Sequence, residues 1–150
     1  MKVAYLTKAY QFNAGHRLFD PRHDAEWNTR VFGKCSYPGG HGHNYSLEVT
    51  VRGTPDPATG RVLREEDLDR AVEAEVMEKI DHRNLNDILS KDFGPAPTTE
   101  VLILELWKAL ERRIPPPARL HRLKVSETAK NSFEYFGEGN REPKEERGHP

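Results

Sequence analysis

The chain has 150 residues, with Lys+Arg 23 against Asp+Glu 24 and a formal net charge of -1. That length suits one domain with a real core, and the charge balance gives no global attraction to nucleic acid or to an anionic membrane surface. No apolar run reaches transmembrane length, Met1 to Lys8 is too short and polar for a signal peptide, and a single cysteine excludes an internal disulfide, so a cytoplasmic setting is expected.

Val3 to Phe12 is rich in β-branched and aromatic residues and predicts a first strand, with His16 at its end in Phe12-Asn13-Ala14-Gly15-His16. Arg17 to Gly40 predicts an irregular connection, because Asp20-Pro21, Pro38-Gly39-Gly40 and scattered charges are turn chemistry. A connection that long inside a small domain is usually functional, and this one delivers Cys35 to the next strand. That strand opens at His41-Gly42-His43 and continues through Asn44-Tyr45-Ser46-Leu47-Glu48-Val49-Thr50-Val51, alternating polar and apolar as a half-buried strand does.

Gly53 to Gly60 is a dense turn. Arg64 to Ile80 then predicts an amphipathic helix, with Leu68, Val72, Val76 and Ile80 at intervals of four. Its acidic start (Glu65, Glu66, Asp67) suits the positive end of a helix dipole. A second helix begins after Pro95-Ala96-Pro97 with Thr98 as N-cap, buries Leu102, Ile103, Leu106, Trp107, Leu110 and Ile114, and stops at Pro115-Pro116-Pro117. Leu120 to Glu127 and Ser132 to Phe136 predict two strands joined through Lys130-Asn131. The expected order is β-β-α-α-β-β, an α+β fold with an antiparallel sheet and two helices on one face. It comprises one domain over residues 1–136 and a charged, mobile tail over 137–150. The second strand is apolar on one side, so the other sheet face meets solvent or another subunit.

His41 and His43, two apart on a strand, point to one face. If the first two strands form an antiparallel hairpin, His16 lies beside them, and three imidazoles suffice for zinc with a fourth position open for water or substrate. His23, His121 and His149 have no such context. Cys35 sits in a glycine-rich loop beside Lys34, which together with a nearby cation favours the reactive thiolate. It is either a reactive thiol or a fourth zinc ligand that closes the site, and spacing does not separate the two.

Asp81-His82 follows the first helix and pairs a carboxylate with an imidazole; taken as a dipeptide alone, it reads first as a polar helix exit. Glu127 ends a strand patterned for burial. An unpartnered buried carboxylate costs on the order of several kcal/mol, so it takes either a basic side chain or the two-donor edge of a heterocycle such as an aminopyrimidinone. Thr98-Thr99-Glu100 is accounted for by helix capping and dipole.

Six segments in register carry a resemblance: Phe12-x-Ala14-x-His16; Cys35 with Pro38 and His41-Gly42-His43-Asn44-Tyr45; Asp56-Pro57-x-Thr59-Gly60; Asp81-His82-x-Asn84-Leu85; Pro97-Thr98-Thr99-Glu100; and Glu127-Thr128. The chain resembles the 6-pyruvoyltetrahydropterin synthase family, which includes 6-carboxytetrahydropterin synthase of queuosine biosynthesis. The resemblance implies that His16, His41 and His43 hold Zn2+. Cys35 would be the base, Asp81 and His82 the relay that activates it, and Glu127 the anchor of the pterin ring, with Thr99 and Glu100 lining the same pocket. It implies the tunnelling fold (T-fold), with trimers closing their sheets into a barrel, two trimers stacking as a homo-hexamer, and active sites between subunits.

The implied reaction converts 7,8-dihydroneopterin triphosphate into 6-pyruvoyltetrahydropterin with release of triphosphate. The family often has serine where this chain has Asn13 and Gly15. The Cys35-to-His41 gap resembles the pyruvoyl-forming branch rather than the carboxy-forming one.

Overall fold

The alternation that opens the chain runs further than expected. In the computed structural model, which describes residues 2–138, strand β1 covers Ala4–His16 and pairs antiparallel along its whole length with β2, His41–Gly53. Inward positions of β1 are even-numbered and include Phe12, Ala14 and His16; those of β2 are odd-numbered and include Tyr45, Leu47, Val49 and Val51. This period of two commits one face of each strand to the core. Phe12 and Tyr45 stack across the hairpin with ring centroids 5.0 Å apart.

Strand β3 is the two-residue Arg83–Asn84; β4 is Arg119–Thr128 and β5 is Asn131–Tyr135. The sheet order is β3-β1-β2-β4-β5, and β3 runs parallel to β1 at Ala14 and Gly15. The sheet is therefore mixed, which corrects the all-antiparallel expectation. A register shift between Thr50 and Val51 against β4 explains the irregular alternation around Leu120 to Lys124: below it Leu123 and Val125 point inward, and past it Leu120 is buried.

Four helices accompany the sheet: α1 Ala25–Phe32, α2 Glu65–Val72, α3 Leu85–Ile88 and α4 Thr99–Glu111. Two departures from the expected pair matter. The Arg17–Gly40 connection is ordered, because Asp24 caps α1 by accepting from Trp27 N at 2.8 Å and a 3-10 turn, Gly33–Ser36, follows. The helix expected over Arg64–Ile80 changes winding after Val72 into a π-helical turn, Glu73–Met77, in which Glu78 N donates to Glu73 O at 2.9 Å. Glu75 is buried in that turn and held by Arg113 and Lys79, both at 2.8 Å, which outweigh burial and keep its pKa below the ordinary glutamate value.

Thr98 caps α4 as expected, accepting from Val101 N at 3.2 Å. Leu68, Ala71 and Val72 of α2, Val76 of the π-helical turn, and Leu102, Ile103, Leu106 and Trp107 of α4 form one cluster with the inward strand residues. Helices thus cover one face. The opposite face is polar: Thr7 and Thr50 hydroxyls meet at 2.7 Å, and Arg122 bridges to Glu134 at 2.7 Å. The tail expected over 137–150 falls, from residue 139 on, outside the described residues.

Candidate metal centre and active site

The core face does not end where its apolar residues end. Continuing the same parity, β1 places His16, β2 places His41 and His43, and β4 places Glu127 at one end of the sheet. His16 and His41 are direct register partners, so the hairpin inferred from sequence brings the three imidazoles together. One ring nitrogen from each lies within 4.8 Å of the others, and the His16 and His41 Nε2 atoms are 3.0 Å apart.

The protonation pattern suits a cation. His16 Nδ1 lies 2.8 Å from Pro97 O, and a carbonyl can only accept, so Nδ1 carries the hydrogen and Nε2 presents a bare lone pair. Burial pushes the pKa of His16 below its ordinary value, as it does that of His43, and the neighbouring imidazoles add to the effect. Glu127 opposes it. His43 Nε2 is buried without a hydrogen-bond partner. Converging ring nitrogens, that of His43 orphaned and those of His16 and His43 on rings whose burial favours the neutral form, fit a divalent cation of zinc's ligand preference. Cys35 is not in that group, and among the described residues three protein ligands gather there rather than four.

Glu127 Oε1 lies 3.4 Å from His43 Nε2 and 3.7 Å from His16 Nε2, while Oε2 accepts from Asn131 Nδ2 at 3.0 Å. Among the described residues no Lys or Arg pairs with it. Beside it are two hydroxyls, that of Thr99, expected to line the pocket, and that of Tyr45: Tyr45 OH and Thr99 Oγ1 are buried, adjacent to one another, and neither forms a well-made hydrogen bond. Burial foremost, then the Glu127 charge, raises the Tyr45 pKa. Tyr45 was legible as the third inward position after His41 and His43. Glu100 is exposed in the first turn of α4.

A cleft of about 870 Å³ opens at the histidines, walled by residues 13–17, 39–44, 82–84 and 86. On its β3 side is the Asp81–His82 pair. Asp81 Oδ1 accepts from Asn13 N at 2.7 Å, which foremost holds its carboxyl below the usual range, and Oδ2 lies 2.9 Å from His82 Nδ1. Adjacent side chains on an extended chain would point apart. Here His82 takes φ 60 and donates its own N–H to Asn13 O at 2.6 Å, and this left-handed bend brings the ring back onto Asp81. The dipeptide is therefore an oriented carboxylate–imidazole pair, with Nδ1–H toward Asp81 and Nε2 free to exchange a proton. The His82 side chain is 73% exposed, and within this chain neither member bonds to Cys35. Cys35 is half-buried and joined through its carbonyl to Leu18 N at 2.8 Å.

A family model described as 6-pyruvoyl tetrahydropterin synthase matches residues 5–138. The chain is 40% identical to the 6-pyruvoyl tetrahydrobiopterin synthase of Drosophila melanogaster over 135 residues, covering 90% of this chain and 80% of that one. It is 38% identical to the Homo sapiens protein of the same name, covering 90% and 92% respectively. The structure of Caenorhabditis elegans 6-pyruvoyl tetrahydropterin synthase superposes with a TM-score of 0.84 at 31% identity, covering 91% of this chain and 97% of that one. Sequence, fold and the histidine cluster agree: the chain belongs to the 6-pyruvoyl tetrahydropterin synthase family.

Proposed function

We propose that this chain is a zinc-dependent carbon–oxygen lyase that converts 7,8-dihydroneopterin triphosphate into 6-pyruvoyltetrahydropterin and inorganic triphosphate. The observation that carries the reading is the convergence of His16, His41 and His43, with bare or orphaned nitrogens, at the head of a cleft that also holds an oriented Asp81–His82 pair. The names borne by the relatives support the same reaction.

His16, His41 and His43 would hold zinc, which when bound would supply Lewis acidity to the hydroxyl oxygens of the substrate side chain. Cys35 as thiolate takes a proton from a side-chain carbon, and the carbon–oxygen bond to triphosphate breaks with its electron pair leaving on the phosphate oxygen. His82, held in one tautomer by Asp81, accepts and returns protons through Nε2. Glu127 takes the two-donor edge of the pterin ring, and the unpartnered hydroxyls of Tyr45 and Thr99 face the same end of the core.

The exposed His82 side chain would complete its relay to a thiol between subunits of a homo-hexamer in which trimers close the polar sheet faces into a barrel. Incubating the zinc-loaded protein with 7,8-dihydroneopterin triphosphate tests the reading. Triphosphate and a pyruvoyl product are expected, and Cys35→Ala should keep the metal while losing release. A carboxylated pterin with acetaldehyde would reassign the chain to the 6-carboxytetrahydropterin branch. No triphosphate at all, from metal-loaded protein, would sink the enzyme reading, and so would a stable monomer with full activity sink the shared site.

A further inference from the structure

We propose that Arg17 is a positioning residue that sets where Cys35 stands relative to the metal ligands; this rests on the reading of Cys35 as the base. Arg17 follows His16 directly. Its main chain is gripped on both sides by one side chain: Arg17 N donates to Asn86 Oδ1 at 2.7 Å, and Asn86 Nδ2 donates to Arg17 O at 2.8 Å. The amide of Asn86 thereby imitates a further strand residue and prolongs the edge of β1 past the point where the two-residue β3 stops.

With its backbone fixed, Arg17 reaches across to the cysteine loop. Its Nε donates to Ser36 O at 2.7 Å, and its guanidinium lies 4.1 Å from the centroid of the Phe19 ring, which restrains the plane of the fork. Leu18 N donates to Cys35 O at 2.8 Å. Two consecutive carbonyls, those of Cys35 and Ser36, are thus held by two consecutive residues that follow a metal ligand. The other bonds of the turn run within the connection itself, Ser36 Oγ to Gly33 O at 2.8 Å, Tyr37 N to Lys34 O at 3.2 Å and Gly33 N to Thr29 O of α1. They shape the loop without locating it. The tripeptide His16-Arg17-Leu18 is the strut that locates the thiol against the cation.

Arg17 also walls the cleft, so a rival role is direct contact with the substrate's phosphates. The test uses zinc-loaded Arg17→Lys and Arg17→Met, with turnover of 7,8-dihydroneopterin triphosphate, zinc stoichiometry and the rate of iodoacetamide alkylation. Cys35 is the single cysteine, so alkylation reports on it alone. The expected pattern is a fall in kcat of about 10- to 100-fold with KM unchanged, because a small misplacement of a reacting group costs rate rather than affinity. Zinc content stays full and alkylation accelerates as the loop loosens.

A raised KM with unchanged kcat and alkylation would overturn the proposal in favour of phosphate contact, and loss of zinc would overturn it in favour of support for His16. If neither variant folds, amide exchange of the unaltered protein decides: Leu18 N–H protected as a core amide supports the strut, and rapid exchange there refutes it. Wild-type turnover in Cys35→Ala would remove the assigned base while leaving the alkylation result standing, so the two failures are distinct.

Discussion

Gly40→Ala is expected to weaken both the fold and the metal site, by an amount a matched control can isolate. Gly40 takes φ +67, and an alanine held in the left-handed region loses about 1–2 kcal/mol. The added Cβ would stand 2.6 Å from His16 O and 3.1 Å from its carbonyl carbon. That is well inside the roughly 3.5 Å at which carbon contacts become favourable. The obstacle is backbone, so no rotamer change relieves it, and pushing it away costs roughly 1–3 kcal/mol more by analogy with overpacked cores. Gly60 has nearly the same φ, +70, with nothing within 4 Å, so Gly60→Ala carries the conformational cost alone.

The difference between the two variants is therefore about 1–3 kcal/mol, read by urea unfolding of metal-free protein with equal slopes. Displacing the His16 carbonyl also tilts a ring pinned through Nδ1 to Pro97, and zinc affinity measured against a competing chelator should fall by about tenfold or more. Equal unfolding free energies for the two variants, with unaltered zinc affinity in Gly40→Ala, would refute the argument that the loop closes directly on the ligand.

Metal-free protein should lose stability as pH falls through 6.5, the ordinary histidine value, because burial holds His16 and His43 lower in the fold and the unfolded chain binds protons first. Above that value the contribution is fully present. The lowered carboxylates, Asp81 and Glu75, act with the same sign from below 3.8 and 4.5 respectively. A urea midpoint that does not move between about pH 7 and about pH 5 contradicts this, and saturating zinc, which keeps the ligand imidazoles unprotonated in the fold, should steepen the dependence. Tyr45→Phe deletes a hydroxyl that has no satisfied partner in the free protein and keeps the stack on Phe12, so unfolding should show no loss and up to about 1 kcal/mol of gain. Substrate KM should rise in the same variant; a clear loss of stability would show the hydroxyl to be satisfied within the protein.

Long, local patterns were readable from sequence. Alternation in β2 fixes which face is buried, and a hairpin of the first two strands brings their inner ends together, so His16 beside His41 and His43 could be anticipated. Thr98 as cap and the α4 stripe are equally local. Helix α1 was hidden because it spans eight residues between Asp20-Pro21 and Pro38-Gly39-Gly40, and turn chemistry outweighed one capping aspartate. The π-helical turn was hidden because Leu68, Val72, Val76 and Ile80 keep an α-helical interval, while the extra residue goes into backbone bonding. Strand β3 has two residues and no pattern to read, yet its edge is where Asn13 meets Asp81 and His82. The roles of Pro97 O, Asn13 N and the Arg17–Asn86 grip lie in main-chain atoms or distant partners, which composition and spacing do not encode.

His16 and His41 pair across a connection whose ends are 25 positions apart, and this chain has no second cysteine with which to tie it. A cation held by those rings would tie it by coordination. A disulfide constrains the unfolded chain, whereas such a cation would stabilise the fold by binding it in preference to the unfolded chain. The connection contains α1, Arg17 and Cys35. Loading a cation would therefore fasten the Cys35 loop at its base, and a chelator would loosen the sheet end that carries His16 and His41 while leaving the far end of the hairpin paired.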